Sequence, residues 1–370
     1  MPPPPVSEQT GPGTLGNPVS LHDHALRLHR LNPDAALPGD GEPYPDDQQH
    51  QHWRPSDDRR RHGMQAAAIL DAYFARASAQ PSELAWAFHD VYVPIHHNEH
   101  IAAAALRADL HRAQQAGRWL IRHGPDRCSA LIGLALLAAD WAEEDIGLIK
   151  IIGLLSDRFA PLAASALKRR RGGAEALLWL ADRVAGWGRV YIVEALCAAG
   201  GITARPWLLR RACDGDVLNG YFAGKVATAA HLQEAITAPD ADDQVIDHTG
   251  RLLVIMADCG GMGMTWQDYP PIRLVLDAHA GHLARQEPSM PRYLDAAFIA
   301  DRLAQAPPGP LGLTPDRRDH LLNRYLATLR RPEWSQAARA RYDPANGFHA
   351  WVAKTAAKRL QLPGLTSQGP

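Results

Sequence analysis

Five consecutive residues, His96-His97-Asn98-Glu99-His100, form the densest run of potential ligands in the chain, with His89 and Asp90 just upstream. On a helix, His96 and His100 lie one turn apart on the same face, with Glu99 beside them. Two imidazoles and a carboxylate suit a metal ion, so a metal-dependent enzyme is one expectation. The order is not the H-E-x-x-H of zinc proteases. A closed zinc site needs four ligands and an open one three, so others would have to come from far along the chain. With 18 histidines present, clusters also arise by chance. A polar helix start after Pro94 accounts for the run without a metal, and no cofactor is expected.

A second stretch, Cys259-Gly260-Gly261-Met262-Gly263-Met264, invites comparison with phosphate-cradling loops. Those loops follow a strand, and the P-loop carries a lysine that this stretch lacks. A helix end and a connecting loop explain the glycines. Beside them Trp266, Asp268 and Tyr269 are suited to a binding surface, because aromatic residues on loops anchor partners.

Basic runs stand at Lys168–Arg171, Arg210-Arg211, Arg317-Arg318 and Arg330-Arg331. Aligned on one edge they would contact phosphates. Each also lies where a helix ends, and cations there complement the helix dipole. No G-x-S-x-G elbow is present.

The elements that must position these residues read as helices throughout. Between Asp140 and Gly201 four short helices follow one another. The first opens with Asp140 and Glu143 in capping-box spacing. The second opens at Pro161 and closes on Lys168–Arg171 and Gly172-Gly173. The third and fourth end at Gly186–Gly188 and Gly200-Gly201. Upstream, helices are expected from Met64, over Ser82–Tyr92, and over His97–His123, with Asp126 capping the next. Downstream they are expected over Thr203–Cys213, Asp242–Ala257, Ile272–Leu283, Tyr293–Ala304, Asp316–Leu329 and Ala345–Leu360. No run alternates with β-branched enrichment, so no sheet is predicted. Residues 1–63, rich in Pro, Asp, His, Gln and Arg, read as a disordered tail. Leu21–Leu31 is the exception, with apolar residues at helical spacing. One all-α domain over 64–362 is expected, with a flexible tail over 363–370.

Composition sets the bounds. Over 370 residues, 46% are hydrophobic and 21% charged, the balance of a globular protein. The net charge of -1 excludes a surface that coats nucleic acid or anionic membrane as a whole. The four cysteines form no C-x-x-C pair, which suits a reducing cytoplasm. No signal peptide and no membrane span are visible. The Ala, Arg, Gly and Pro richness matches a GC-rich bacterial coding sequence.

The rhythm of short helices joined by Gly- or Pro-marked loops is what stacked helix pairs require. Ile152-Gly153-Leu154-Leu155-Ser156-Asp157 resembles the first-helix end of a HEAT unit, and Pro161-Leu162 resembles its second-helix start. A related string recurs as Ser156-Asp157-Arg158-Phe159, Ala181-Asp182-Arg183-Val184 and Ala300-Asp301-Arg302-Leu303. The chain therefore resembles the HEAT and armadillo class of helical-repeat proteins. That resemblance implies an α-solenoid whose usual work is binding macromolecules, here a protein partner in a concave groove. The groove residues expected are Trp179, Asp182, Trp187 and Arg189, with Trp266, Asp268 and Tyr269. Helical-repeat DNA glycosylases share the fold class and use Trp, Asp and basic residues, so nucleic acid is the alternative partner. Trp179, Asp182, Trp187 and Arg189 would then be the candidates.

Overall fold

The structure, a computed structural model, describes residues 19–47, 58–199, 201–307, 309–363 and 365. All regular structure in them is helical, as the periodicity predicts. They fall into two compact units. The first holds residues up to Ala176 together with Asp182–Gly188; the second holds Leu177–Ala181 and everything from Arg189. The disorder expected of 1–18 and 48–57, and most of the flexible C-terminal tail, lies outside the described residues.

The first unit contains α1 (Leu21–Leu31), α2 (Met64–Phe74), α3 (Pro81–Trp86), α4 (Glu99–Arg107), α5 (Leu110–His123), α6 (Arg127–Ala138), α7 (Ile146–Gly153) and α8 (Ser156–Leu167). Helices two apart in the chain pack on one another: α2 on α4, α4 on α6, α6 on α8, and likewise α3 on α5 and α5 on α7. Neighbours α5 and α6 pack most closely, with Gly117 and Gly133 facing each other where any side chain would collide with the opposite backbone.

Several expected boundaries move, each for a local reason. The helix expected over His97–His123 is broken at Ala108, because the Asp109 side chain accepts the Arg112 N–H and starts a new helix. The Asp140 capping box does not form. Its carboxylate accepts from the Trp141 N–H and from Gln114 Nε2, and a 3₁₀ turn at Glu143–Asp145 leads into α7 instead. The second helix starts at Ser156, so Pro161 sits inside it, a full turn later than expected.

Residues 19–47, read as tail, are structured. Ser20 caps α1 by accepting the Asp23 N–H, and α1 packs on α5 and α7 with Leu21 and Ala25 buried. Downstream, the buried Asp46 carboxylate accepts from the Arg127 backbone N–H (2.8 Å), Nε and Nη2 (2.9 Å). Arg127 also stacks over the Tyr44 ring. An acidic, Pro-containing stretch is thus fixed by a cation at the start of α6, which its low apolar content does not disclose.

Two helices are divided between the units, α9 (Gly173–Ala181) after Ala176 and α10 (Gly186–Ala199) after Gly188. The second unit continues with α11 (Arg205–Arg211), α12 (Ala223–Ala229), α13 (Leu232–Thr237), α14 (Asp243–Ala257), α15 (Ile272–Leu283), α16 (Met290–Gln305), α17 (Pro315–Leu329), α18 (Pro332–Ala340) and α19 (Gly347–Trp351), which runs into a π turn at Val352–Ala357. Again alternate helices pack: α12 on α14, α14 on α16, α16 on α18, and α13 on α15, α15 on α17. Asp242, Ser289 and Thr314 cap α14, α16 and α17.

Arginines tie off helix ends in both units. Arg170 donates to the carbonyls of Leu137, Ala142 and Ala166, Arg112 to those of Phe74 and Arg76, and Arg331 to that of Ala284. Each adds a charged donor to carbonyls at or near helix ends, where intrahelical donors run out. The recurring Asp-Arg string has no common role. Arg183 donates to the Pro33 carbonyl, whereas Arg302 pairs with Asp258.

Candidate functional site

The residues singled out from the sequence do not converge. Trp179 and Arg189 belong to the second unit, Asp182 and Trp187 to the first. Arg189 is buried and fully occupied, donating to Ala181 O (2.7 Å), Arg211 O (2.7 Å) and Ala212 O (3.1 Å) beside Asp214 and Trp207. It is a helix-end tie rather than a groove residue. Trp179 and Asp182 are half-buried and Trp187 is exposed. Trp266 is buried with its indole N–H on the Leu253 carbonyl, and Tyr269 is buried with its hydroxyl 3.5 Å from the Ala227 carbonyl. They pack the loop down, while Asp268 only closes a capping box with Thr265.

The histidine cluster is also rearranged. Asn98 caps α4 by accepting the His100 and Ile101 N–H groups, so the helix begins at Glu99 and excludes His96. His96 and His100 therefore do not share a helical face. His100 Nε2 instead meets the Arg60 carbonyl at 2.9 Å. Among the described residues no group of three or more His, Cys, Asp or Glu side chains is placed to hold a metal. Burial pushes the thiols of Cys128, Cys197 and Cys213 up to about 12, which removes them as nucleophiles.

The second unit contains a constellation that the sequence reading passed over. A cleft of about 390 Å³ lies among α14, α15 and α16, lined by Asp247, Gly250 and Arg251 of α14, His279 of α15, and Arg292 and Asp295 of α16. Leu283, Pro288 and Pro291 add an apolar side. The caps on Asp242 and Ser289 fix the register of α14 and α16 that presents these groups.

Within the cleft the charges divide into satisfied and unsatisfied. Arg292 forms a two-pronged pair with Asp247 (Nε 2.7 Å, Nη2 3.0 Å) and also reaches Asp243 at 3.0 Å. Gln286 donates to both carboxylates. Asp295, by contrast, has no hydrogen-bond or ion-pair partner among the described residues. Burial raises its carboxyl to about 7, with Arg251 pulling down and Asp247 pushing up. Arg251 donates to the Cys213 carbonyl at 3.1 Å, and no carboxylate among the described residues pairs with it.

His279 completes the arrangement. The ring is 2% exposed and its Nδ1 lies 2.9 Å from the Tyr325 hydroxyl. That hydroxyl donates to the Leu276 carbonyl at 3.2 Å, so Nδ1–H donates to the phenolic oxygen. Nε2 is left as a lone-pair acceptor facing the cleft. Burial lowers the imidazole to about 4, so it is neutral at ordinary pH. Gly250 leaves the space open: a Cβ there would stand 3.0 Å from Nε2 and 3.6 Å from Asp295 Oδ2. A carboxyl balanced between its two charge states and a neutral imidazole, side by side in a cleft, are groups that bind or move a proton.

A signal for two of these residues was present. His279 falls on the stripe Leu276, His279, Ala280, Leu283, and Asp295 interrupts the apolar run of Leu294, Ala296 and Ala297. Polar residues at core positions of a helix need an explanation. Comparison with known proteins finds no family model that matches the chain, and no curated protein or solved structure that is significantly similar to it.

Proposed function

We propose that the chain is a helical-repeat binding protein of the HEAT-like kind, and that its second unit holds a small polar ligand in the cleft between α14, α15 and α16. The packing of alternate helices within each unit supports the repeat reading, since stacked helix pairs create such contacts. One observation carries the ligand reading: Asp295 and His279 Nε2 face the same cleft without a partner among the described residues, over a glycine that keeps it open. Buried polar groups are ordinarily paired, and the exceptions concentrate where a ligand supplies the pair. The test is the imidazole resonance of His279 in the full chain, followed by NMR while a set of small polar compounds is added. A saturable shift supports the reading; a resonance indifferent to every compound removes it.

A protein partner is the second reading. It is favoured by the first unit, where Leu106 and Leu110 are exposed beside a shallow cleft that also includes Leu136 and Ala139, with Trp141 exposed nearby. Exposed apolar groups of this size mark contact surfaces when they adjoin. The nucleic-acid alternative draws less support, because Arg170, Arg189, Arg210 and Arg331 of the basic runs and their neighbourhood are engaged with carbonyls or Asp242. No described helix is long and apolar enough to cross a membrane.

A further inference from the structure

We propose that the ligand of the second unit's cleft is a small zwitterion, a free α-amino acid, with its ammonium on Asp295 and His279 and its carboxylate on Arg251. The proposal rests on the reading of the cleft as a ligand site and assigns its chemical class.

The charge inventory of the cleft leads there. Asp247 pairs with Arg292 through two short contacts, and Asp243 shares the same guanidinium, with Gln286 donating to both carboxylates. Glu287 is exposed at the margin, and its backbone carbonyl accepts from Arg292. The cluster of Asp243, Asp247 and Arg292 keeps a net negative charge, because one guanidinium serves two carboxylates, and outside it the buried side of the cleft presents one carboxylate, Asp295, and one guanidinium, Arg251. They influence each other electrostatically but form no ion pair. A carboxylate and a guanidinium held apart on one cleft match a molecule that carries both opposite charges a short distance apart.

Simpler ligands fit less well. A plain anion would pair with Arg251 but stand against the Asp295 carboxylate. A plain cation would pair with Asp295 but leave the Arg251 guanidinium without an anion. A nucleobase would find no Phe, Tyr or Trp to stack on among the described residues that line the cleft.

His279 adds a direction. Its Nε2 lone pair accepts hydrogen bonds, and an ammonium has three N–H donors to share between it and Asp295. A neutral imidazole does not repel the cation. Leu283, Pro288 and Pro291 then supply an apolar wall for a side chain. The absence of a Cβ at Gly250 leaves room for the amino group itself, beside both acceptors.

The experiment is calorimetric titration of the full chain at pH 8, where Asp295 is charged, with each of the common free L-amino acids. Every amino acid that binds is repeated as its N-acetyl and its carboxamide derivative. The expected result is saturable one-to-one binding of at least one amino acid, weakened tenfold or more by either derivatisation. Asp295→Asn should abolish sensitivity to N-acetylation, and Arg251→Gln sensitivity to amidation. A thermal melt confirms that each variant is folded. Binding that ignores both derivatisations, or survives Asp295→Asn unchanged, overturns the assignment. So does a set of amino acids none of which binds. His279 NMR then separates the two readings. If acetate, methylammonium or glycerol shifts its resonance while no amino acid does, the ligand class is wrong and the cleft remains a site. If nothing shifts it, both readings fall.

Discussion

Gly250 and His279 meet with no side chain between them: a methyl group on Gly250 would lie 3.0 Å from the imidazole Nε2. That position is inside α14, where glycine costs about 1 kcal/mol relative to alanine. The helix therefore forgoes stability at a point where it lines the cleft. Gly250→Ala is expected to keep the fold, changing stability by no more than about 1 kcal/mol as helix propensity and crowding offset each other. Ligand affinity is expected to fall at least tenfold. A thermal melt paired with the calorimetric titration checks both, and a variant that binds as before would remove Gly250 from the site.

Asp295 makes the opposite trade. Its folded carboxyl titrates near 7, above the unfolded value. Its contribution to stability is full below about pH 4 and is lost as pH rises toward 7. Converted directly, the shift corresponds to as much as about 4 kcal/mol, an upper bound for a half-buried group. Asp295→Asn removes the titration. The variant is expected to match the parent near pH 4 and to exceed it by about 1–3 kcal/mol at pH 8. Denaturant melts at the two pH values measure the difference. Equal stability at pH 8 would mean that the carboxylate is better solvated than its position indicates.

Two buried histidines bend the profile the other way. His248 accepts the Cys213 N–H at Nε2, and burial lowers it to about 3; His279 is lowered to about 4. Both are neutral when folded. Their contribution is present above about pH 6.5, the unfolded value, and is lost as pH falls toward 4 and 3. His248→Gln keeps an acceptor and cannot be charged. It is expected to flatten the decline between pH 6.5 and 4 by up to about 3 kcal/mol. An unchanged slope would show that another group drives the acid transition.

The helices were legible because caps and apolar stripes are local. Leu21–Leu31 and Ile272–Leu283 stand at the boundaries the periodicity gives, and Asp126 caps α6 as its spacing implies. The order of 19–47 was not legible, because it depends on Asp46 meeting Arg127, 81 residues away. The cleft was hidden for the same reason. Asp295, His279 and Gly250 come from three helices, and no spacing along one helix brings them together. Trp266 and Tyr269 misled because a loop rich in glycine folds its aromatics inward as readily as outward.

The Asp46–Arg127 pair is open to a direct test. Both side chains are buried, and Arg127 donates from its backbone and its guanidinium to one carboxylate. Removing one partner of a buried pair costs about 3–5 kcal/mol, and Asp47, which also pairs with the Arg127 guanidinium, compensates part of the loss. Asp46→Asn keeps the shape but not the charge, and is expected to fall at the lower end of that range. The same variant should expose residues 38–47 to protease, read by mass spectrometry of the first cut. Protection equal to the parent would mean that α1 and Tyr44 hold the segment unaided.

Arg189 separates a structural role from a binding one. Its guanidinium serves three carbonyls, those of Ala181, Arg211 and Ala212, at the ends of two helices. Arg189→Met preserves the aliphatic length and leaves those carbonyls without donors. Hydrogen bonds to a charged group are worth about 1.5–3 kcal/mol each, with incomplete additivity, so a loss of about 2–4 kcal/mol is expected. Arg189→Lys should recover little, since one ammonium cannot span the geometry of a planar fork. A residue placed for a partner would behave differently, losing affinity while the melting temperature stayed constant. Measuring the melts of both variants before any binding assay therefore decides which account of Arg189 holds.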